Sequence, residues 1–250
     1  MHKNWPIPQH AMDRDMIKGW TDKYFTRTRD IVDHYGDKEV VYAVFMRRPC
    51  LSACEPAMTF ARQNGAEIVP AFQTGDLVGA GDPLFYMRGS FSRLVELETL
   101  ILQKLGLPCI AAMNAYDMAM ALPKAAFLAM DGRHDAGLEM ADLAAYGVSV
   151  GSKAAQAQGA TGFIGNATDA TAHYFGNRQG MGTMPHALIG YAGSTLKAAE
   201  MFHATHPDVP LTVLVDYFGL EMDDALAVCH EFADLAGRKV HHGHHLPPHQ

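Results

Sequence analysis

The stretch GMGTMPHALIGYAGST, residues 180–195, sets Thr183, Pro185 and His186 among glycines, directly ahead of the helical run LKAAEMFHA. Thr183 can cap the helix that follows, Pro185 is tolerated in a first turn, and His186 then sits at the positive end of the helix dipole. That field disfavours imidazolium, keeps the ring neutral and nucleophilic near pH 7, and stabilises an anion such as a phosphoryl group beside it. A histidine satisfied by a loop carbonyl is the plainer alternative, and pattern alone favours it. Three other clusters each follow a short apolar run. Arg133 and His134 follow AAFLAM, where a guanidinium forms a fork for a carboxylate or phosphate, although a surface or strand-capping arginine fits the pattern better. Asn166, Thr168 and Asp169 follow GFIG and can contact a ligand or cap the next helix, the cap being preferred for these residue types. Asp216 of DYF follows LTVLV, either orienting a substrate ring or an arginine, or closing the strand.

The elements that must position these groups change style along the chain. Apolar residues from Ile17 to Val32 recur at helical spacing over 16–35, with Asp22 near the start and Gly36 after the end. VVYAVFMRR, IVPAF and PLFYMRG read as strands, and LSACEPAMTFARQNG as a helix. Residues 91–122 read as mostly helical with an interruption at Pro108. From Pro123 onward, short apolar runs are followed by polar clusters and alanine-rich helices, with a helix beginning near Leu138 and another at 222–236. QGMGTM fits the same slot with a weak strand signal. Such βα units imply a parallel sheet or barrel, whose chemistry sits where strands end.

Composition removes several classes of function. The chain has 250 residues, 48% hydrophobic and 19% charged, enough for a full core. Its net charge of −7 and the lack of a basic block beyond pairs such as Arg47 and Arg48 disfavour nucleic acid. Cys50, Cys54, Cys109 and Cys229 form no C-x-x-C pair, and MHKNWPIPQH lacks an apolar leader core, which points to reduced cytoplasm. TLILQKLGLPCIAAM is broken by Lys104, Gly106 and Pro108 short of the ~20 residues of a membrane span. The final ten residues hold five histidines without acidic or cysteine companions, so they read as a disordered end and no metal site is assigned. The common nucleotide-binding and hydrolase motifs are missing.

TDKYFTRT, GDPLFYMRGSFSRLVELETLILQKLG, FLAMDGRHDAG, GFIGNATDATAHYFG, GMGTMPHALIGYAGST and LTVLVDYFG, in that order, together resemble nicotinate phosphoribosyltransferase over most of residues 20–235. The resemblance implies an α/β fold of the type II phosphoribosyltransferase kind: an N-terminal α+β domain, 1–122, the first part of an irregular α/β barrel, 123–237, and a His-rich tail, 238–250. It also implies a homodimer that joins nicotinate to 5-phosphoribosyl 1-diphosphate with Mg²⁺, giving nicotinate mononucleotide and pyrophosphate for NAD synthesis. ATP would be a co-substrate through transient phosphorylation of His186, the catalytic residue on this reading. Tyr24 and Thr183 match positions that contact nicotinate, and Arg133 and Asp216 fall in the substrate pocket. The sequence departs from the family after CHEFADLAG, where a further aspartate-bearing strand and more βα units are expected. Four βα units are too few to close a barrel, so the expectation is a truncated or frame-shifted chain. Two alternatives stand beside it. One is the related quinolinate enzyme, which needs extra basic residues and lacks the histidine loop. The other is a non-catalytic remnant acting as an interaction protein.

Overall fold

Thr21 breaks the long helical run near the N-terminus in two, because its hydroxyl donates to the carbonyl of Ile17 and to that of Glu96, 75 residues on. The helices on either side are α1 (Arg14–Trp20) and α2 (Lys23–Tyr35). In the computed structural model the described residues are 12–134, 137–182 and 184–233. Thr183 and the tail 238–250 lie outside them. Contacts divide the chain into two compact units between Met181 and Gly182.

The first unit continues with β1 (Glu39–Phe45), β2 (Cys50–Leu51), α3 (Glu55–Gln63), β3 (Glu67–Pro70), β4 (Leu77–Val78) and β5 (Pro83–Ser90). β5 lies between β1 and β3, antiparallel to both, with Tyr42 opposite Met87 and Ile68 also opposite Met87. From Phe85 onward the alternation expected of a sheet with one covered face holds: Phe85 and Met87 are buried in the core, while Val41, Tyr86 and Arg88 are exposed; Leu84, on the other face at the start of β5, is buried as well. β2 and β4 form a separate ladder of two residue pairs.

Asp37, just ahead of β1, gathers a set of donors. It accepts from Ser90 Oγ, from Ser92 N at 2.9 Å, from Ser92 Oγ at 3.0 Å and from Lys38 N at 2.8 Å. These bonds, the Ser90 hydroxyl first, hold its carboxyl down at about 2 against an ordinary 3.8. A carboxyl with a lowered folded value stabilises the fold fully above its unfolded value and loses that contribution as pH falls toward 2. Asp37→Asn is therefore expected to melt below wild type at pH 6 and to converge on it as pH drops from about 4 to about 2. Melting curves across that range check this, and a gap that stays constant to pH 2 would contradict it.

After the short α4 (Phe91–Leu94), α5 (Glu98–Ala121) runs unbroken through Pro108, where the sequence predicts an interruption. Proline removes one backbone bond, but Leu105, Cys109 and Ala112 around it are fully buried, so packing outweighs the lost bond. β6 (Ala126–Ala129), α6 (Asp131–His134), α7 (Leu138–Ala157) and β7 (Gly162–Asn166) then form one βα unit, with β6 parallel to β7. A 3₁₀ turn at Ala172–Phe175 stands where a helix was expected after NATDATAH.

The second unit holds α8 (His186–Ala192), α9 (Thr195–Thr205) and α10 (Glu221–Glu231). Ser194 caps α9 by accepting from Lys197 N at 3.1 Å. LTVLV, expected as a strand, forms no ladder among the described residues. Its alternation survives all the same, for Leu211 and Val213 are buried with Ile189, Ala198 and Val228. The pattern recorded which side chains face the core, whereas a strand also needs a neighbouring backbone. QGMGTM likewise forms no strand among the described residues. The fold class is as expected, mixed α/β with an N-terminal α+β part and a helix-rich, barrel-like continuation. Among the described residues, no helix is long and apolar enough to cross a membrane.

Candidate functional site

Because β6 and β7 are parallel, the segments leaving them emerge at the same edge, and a buried polar knot ties these segments together. Thr171 Oγ1 donates to Asp131 Oδ2 at 2.6 Å, and Asn166 Nδ2 donates to Thr171 Oγ1 and to the Thr168 carbonyl, the latter at 2.9 Å. Thr168 and Thr171 hydroxyls lie 2.8 Å apart. Asn166 is wholly buried, and its Oδ1 is an acceptor with no hydrogen-bond partner among the described residues. Gly132 is required by this packing, since a Cβ there would meet Thr168 Cγ2 at 2.5 Å. The loop after β7 is fastened further by Gly180 N donating to Asp169 Oδ1 at 2.8 Å and by Met181 N donating to the Asn166 carbonyl at 2.6 Å. Asn166, Thr168 and Asp169 are thus loop fasteners, and the helix-cap role preferred from their residue types is not seen.

Arg133 lies on α6, two residues beyond Asp131, and is exposed. The knot fixes its backbone while its guanidinium faces water, which suits a group that waits for an anion. Tyr24, on the first turn of α2, is exposed, with its hydroxyl 3.5 Å from Asp22 Oδ2. Crowding out of water, followed by the Asp22 and Glu98 carboxylates, pushes its phenol up, so it remains a hydrogen-bond donor at neutral pH. The same unit carries a cleft of about 450 Å³ lined by Thr74, Asp76, Tyr146, Ser149, Lys153 and Tyr174 among others. Tyr174 donates to Asp142 Oδ1 at 3.0 Å, and burial raises both Asp142 and Tyr174.

In the second unit His186 Nε2 and Asp216 Oδ1 are 2.8 Å apart, with both side chains about half exposed. The sequence singled out both residues but paired Asp216 with a substrate ring or an arginine. The observed partner is His186, and the Tyr217 ring lies 6.0 Å from the imidazole. Tyr217 also reaches Gly190, where a Cβ would stand 2.6 Å from its hydroxyl. Pro185 precedes α8 as its cap residue instead of occupying the first turn, and makes no side-chain cap bond; Thr183, expected as the cap, lies outside the described residues. Asp131 and Thr171 escaped the sequence reading. The only signal was an aspartate directly after a strand and a threonine among several in NATDATAH.

The family described as quinolinate phosphoribosyl transferase, N-terminal domain, matches residues 22–109. No curated protein matches the chain. Among solved structures, nicotinate-nucleotide pyrophosphorylase from Pyrococcus furiosus is 22% identical with a TM-score of 0.68, over 89% of this chain and 57% of its own. NadC from Streptococcus pyogenes is 18% identical with a TM-score of 0.58, over 93% of this chain and 83% of its own. Human nicotinic acid phosphoribosyltransferase is 14% identical with a TM-score of 0.64, over 86% of this chain and 59% of its own. These likenesses show the fold, and the chain spans 57% of the Pyrococcus protein. They correct the resemblance to nicotinate phosphoribosyltransferase. TDKYFTRT and GDPLFYMRGSFSRLVELETLILQKLG, on which that resemblance leaned, fall almost wholly inside the stretch matched by the quinolinate family. Only short patterns such as G-T-x-x-H then argued for the nicotinate enzyme. ATP as co-substrate, nicotinate as substrate, the ligase activity and phosphorylation of His186 all fall with it.

Proposed function

We propose that the chain is part of a phosphoribosyltransferase acting on a pyridine dicarboxylate of the quinolinate kind, with no ATP in the reaction. The match of residues 22–109 to the quinolinate phosphoribosyl transferase N-terminal domain carries this reading. Fold likeness to the Pyrococcus nicotinate-nucleotide pyrophosphorylase supports it. The pyridine nitrogen forms a bond to C1 of 5-phosphoribosyl 1-diphosphate as the bond to pyrophosphate breaks. The 2-carboxylate then leaves as CO₂, and the ring carbon it leaves takes up a proton, giving nicotinate mononucleotide for NAD synthesis.

Positive charge develops at C1 during departure, so the site must hold the diphosphate, align the ring nitrogen and keep water out. Mg²⁺ enters as part of the diphosphate substrate. Arg133, at the end of β6, is the fork for a pyridine carboxylate. The Tyr24 phenol is a hydrogen-bond donor to the same substrate. His186, its ring oriented through Nε2 by Asp216, stays a residue of the candidate site, and Thr183 keeps its place as a substrate contact. A homodimer belongs to this reading.

The purified chain is expected to convert pyridine-2,3-dicarboxylate and 5-phosphoribosyl 1-diphosphate with Mg²⁺ into nicotinate mononucleotide, pyrophosphate and CO₂, at a rate that added ATP leaves unchanged. Arg133→Ala is expected to raise KM for the dicarboxylate about thirtyfold, the loss of one charge-assisted contact worth about 2 kcal/mol, with little change in KM for the diphosphate. No turnover of the dicarboxylate, or turnover only with ATP, would overturn the reading.

A further inference from the structure

Three of the four cysteines converge inside the first unit from three separate elements, and the proposed reaction uses none of them. Cys50 lies on β2, Cys54 directly precedes α3, and Cys109 lies on α5 one residue past Pro108. All are at most 1% exposed, and Cys54 Sγ is 4.0 Å from Cys109 Sγ. Cys229, in the second unit, is exposed.

We infer that Cys54 and Cys109 form a covalent modification site, a dithiol that a hydroperoxide converts to an intramolecular disulfide. Three features carry this. The sulfurs are already in contact, and closing them to the ~2 Å of a disulfide asks for about 2 Å of relative travel, within reach of side-chain rotation and a small backbone shift. The backbone at Cys54 is the side with room to give. The segment bearing Cys50 and Cys54 is buried in the core, but its backbone is held by a ladder of two residue pairs and the flanking bonds of Ser52 with Asp76 and Gly75, and not by a wider sheet. The thiols also differ in role. The hydrogen bond shared with Cys109 lowers Cys54, as another lowers Cys50, and raises Cys109, so within the touching pair Cys54 is the thiol that ionises more readily and reacts first.

In the reaction, Cys54 thiolate attacks the peroxide O–O bond and becomes a sulfenic acid as an alcohol or water leaves. Cys109 sulfur then displaces water from it, forming the S–S bond. Two thiols lose two electrons and two protons, and one hydroperoxide is reduced to an alcohol and water. The product ties the start of α3 to the middle of α5.

The test is peptide mass spectrometry of the folded full chain carrying Cys229→Ser, treated with hydrogen peroxide and then alkylated. The expected result is a Cys54–Cys109 linked peptide, two hydrogens lighter than its parts, that dithiothreitol reverses, Cys50→Ser retains and Cys109→Ala abolishes. Wild-type chain needs no folding control, since the same linkage is read directly from it. Free thiols at both positions in folded, treated protein would overturn the inference. So would a Cys50–Cys109 link in place of the expected one, or linkage only in denaturant.

Discussion

Arg29→Met is expected to lower the stability of the chain by about 3 kcal/mol. Arg29 is four-fifths or more buried between α2 and the segment after β5, and its Nη1 lies 3.2 Å from Glu96 Oε2. Its Nε also donates to both oxygens of Asp33, at 2.8 and 3.0 Å, and Nη1 donates to the Ser92 carbonyl. Glu96 is more deeply buried still, with a side chain 6% exposed, and among the described residues the only other cation paired with it is Arg14, its Nε at 3.9 Å. Removing the guanidinium leaves a desolvated carboxylate and an unpaired carbonyl, and losing one member of such a pair costs far more than the pair contributes. Urea unfolding measures the loss. The double variant Arg29→Met with Glu96→Gln should regain part of it by removing the orphaned charge. A loss under 1 kcal/mol, or a double variant weaker than the sum of the singles, would show that water reaches Glu96 easily.

That pair also shows where the sequence stops being legible. The helical period of residues 16–35 was visible, but the break at Thr21 was not, because it depends on a carbonyl 75 residues away. Arg29 and Glu96 read as ordinary charges on two helices, for a sequence shows spacing along the chain and not contact across it. LTVLV was legible as an alternating buried stretch and illegible as a non-strand, since burial alternation is local and ladder pairing is not. The same limit applies at the candidate site. His186 and Asp216 were each picked out by residue type, yet the 2.8 Å bond between them spans 30 positions. Asp131, Asn166 and Thr171 form the most ordered polar cluster at the strand ends, and only their closeness in space reveals it. The family reading failed for a related reason. Motifs shared by two enzymes on one fold report the fold, and the residues that separate the substrates are few and scattered.

Gly151→Val is expected to cost at least about 3 kcal/mol, and Gly151→Ala about 2 kcal/mol once the gain of about 1 kcal/mol in helix propensity is set against the clash. A Cβ on Gly151 would stand 2.0 Å from the Ala112 carbonyl oxygen and 2.8 Å from its carbon. One turn earlier, a Cβ on Gly147 would meet the Pro108 carbonyl oxygen at 2.4 Å. These are backbone atoms, so no side chain can swing aside, and α5 and α7 would have to part along their whole crossing. The movement would not stop at the helix pair. Ser152, next to Gly151 on α7, accepts from Phe163 N on β7 at 2.8 Å and donates to the Phe163 carbonyl at 3.3 Å. α7 is thus pinned to α5 on one side and to β7 on the other, and displacing it shifts the strand that carries Asn166. The chain of contacts from Ala112 to Gly151, Ser152, Phe163 and Asn166 ends at the knot that fixes Arg133. A valine 18 residues along the chain from Arg133 should therefore lower thermal stability and, in whatever fraction stays folded, weaken the Arg133 contact with the dicarboxylate, raising its KM. A melting point unchanged in Gly151→Ala would mean that the two helices can separate freely, and the tight small-residue crossing would then not be what positions the strand ends.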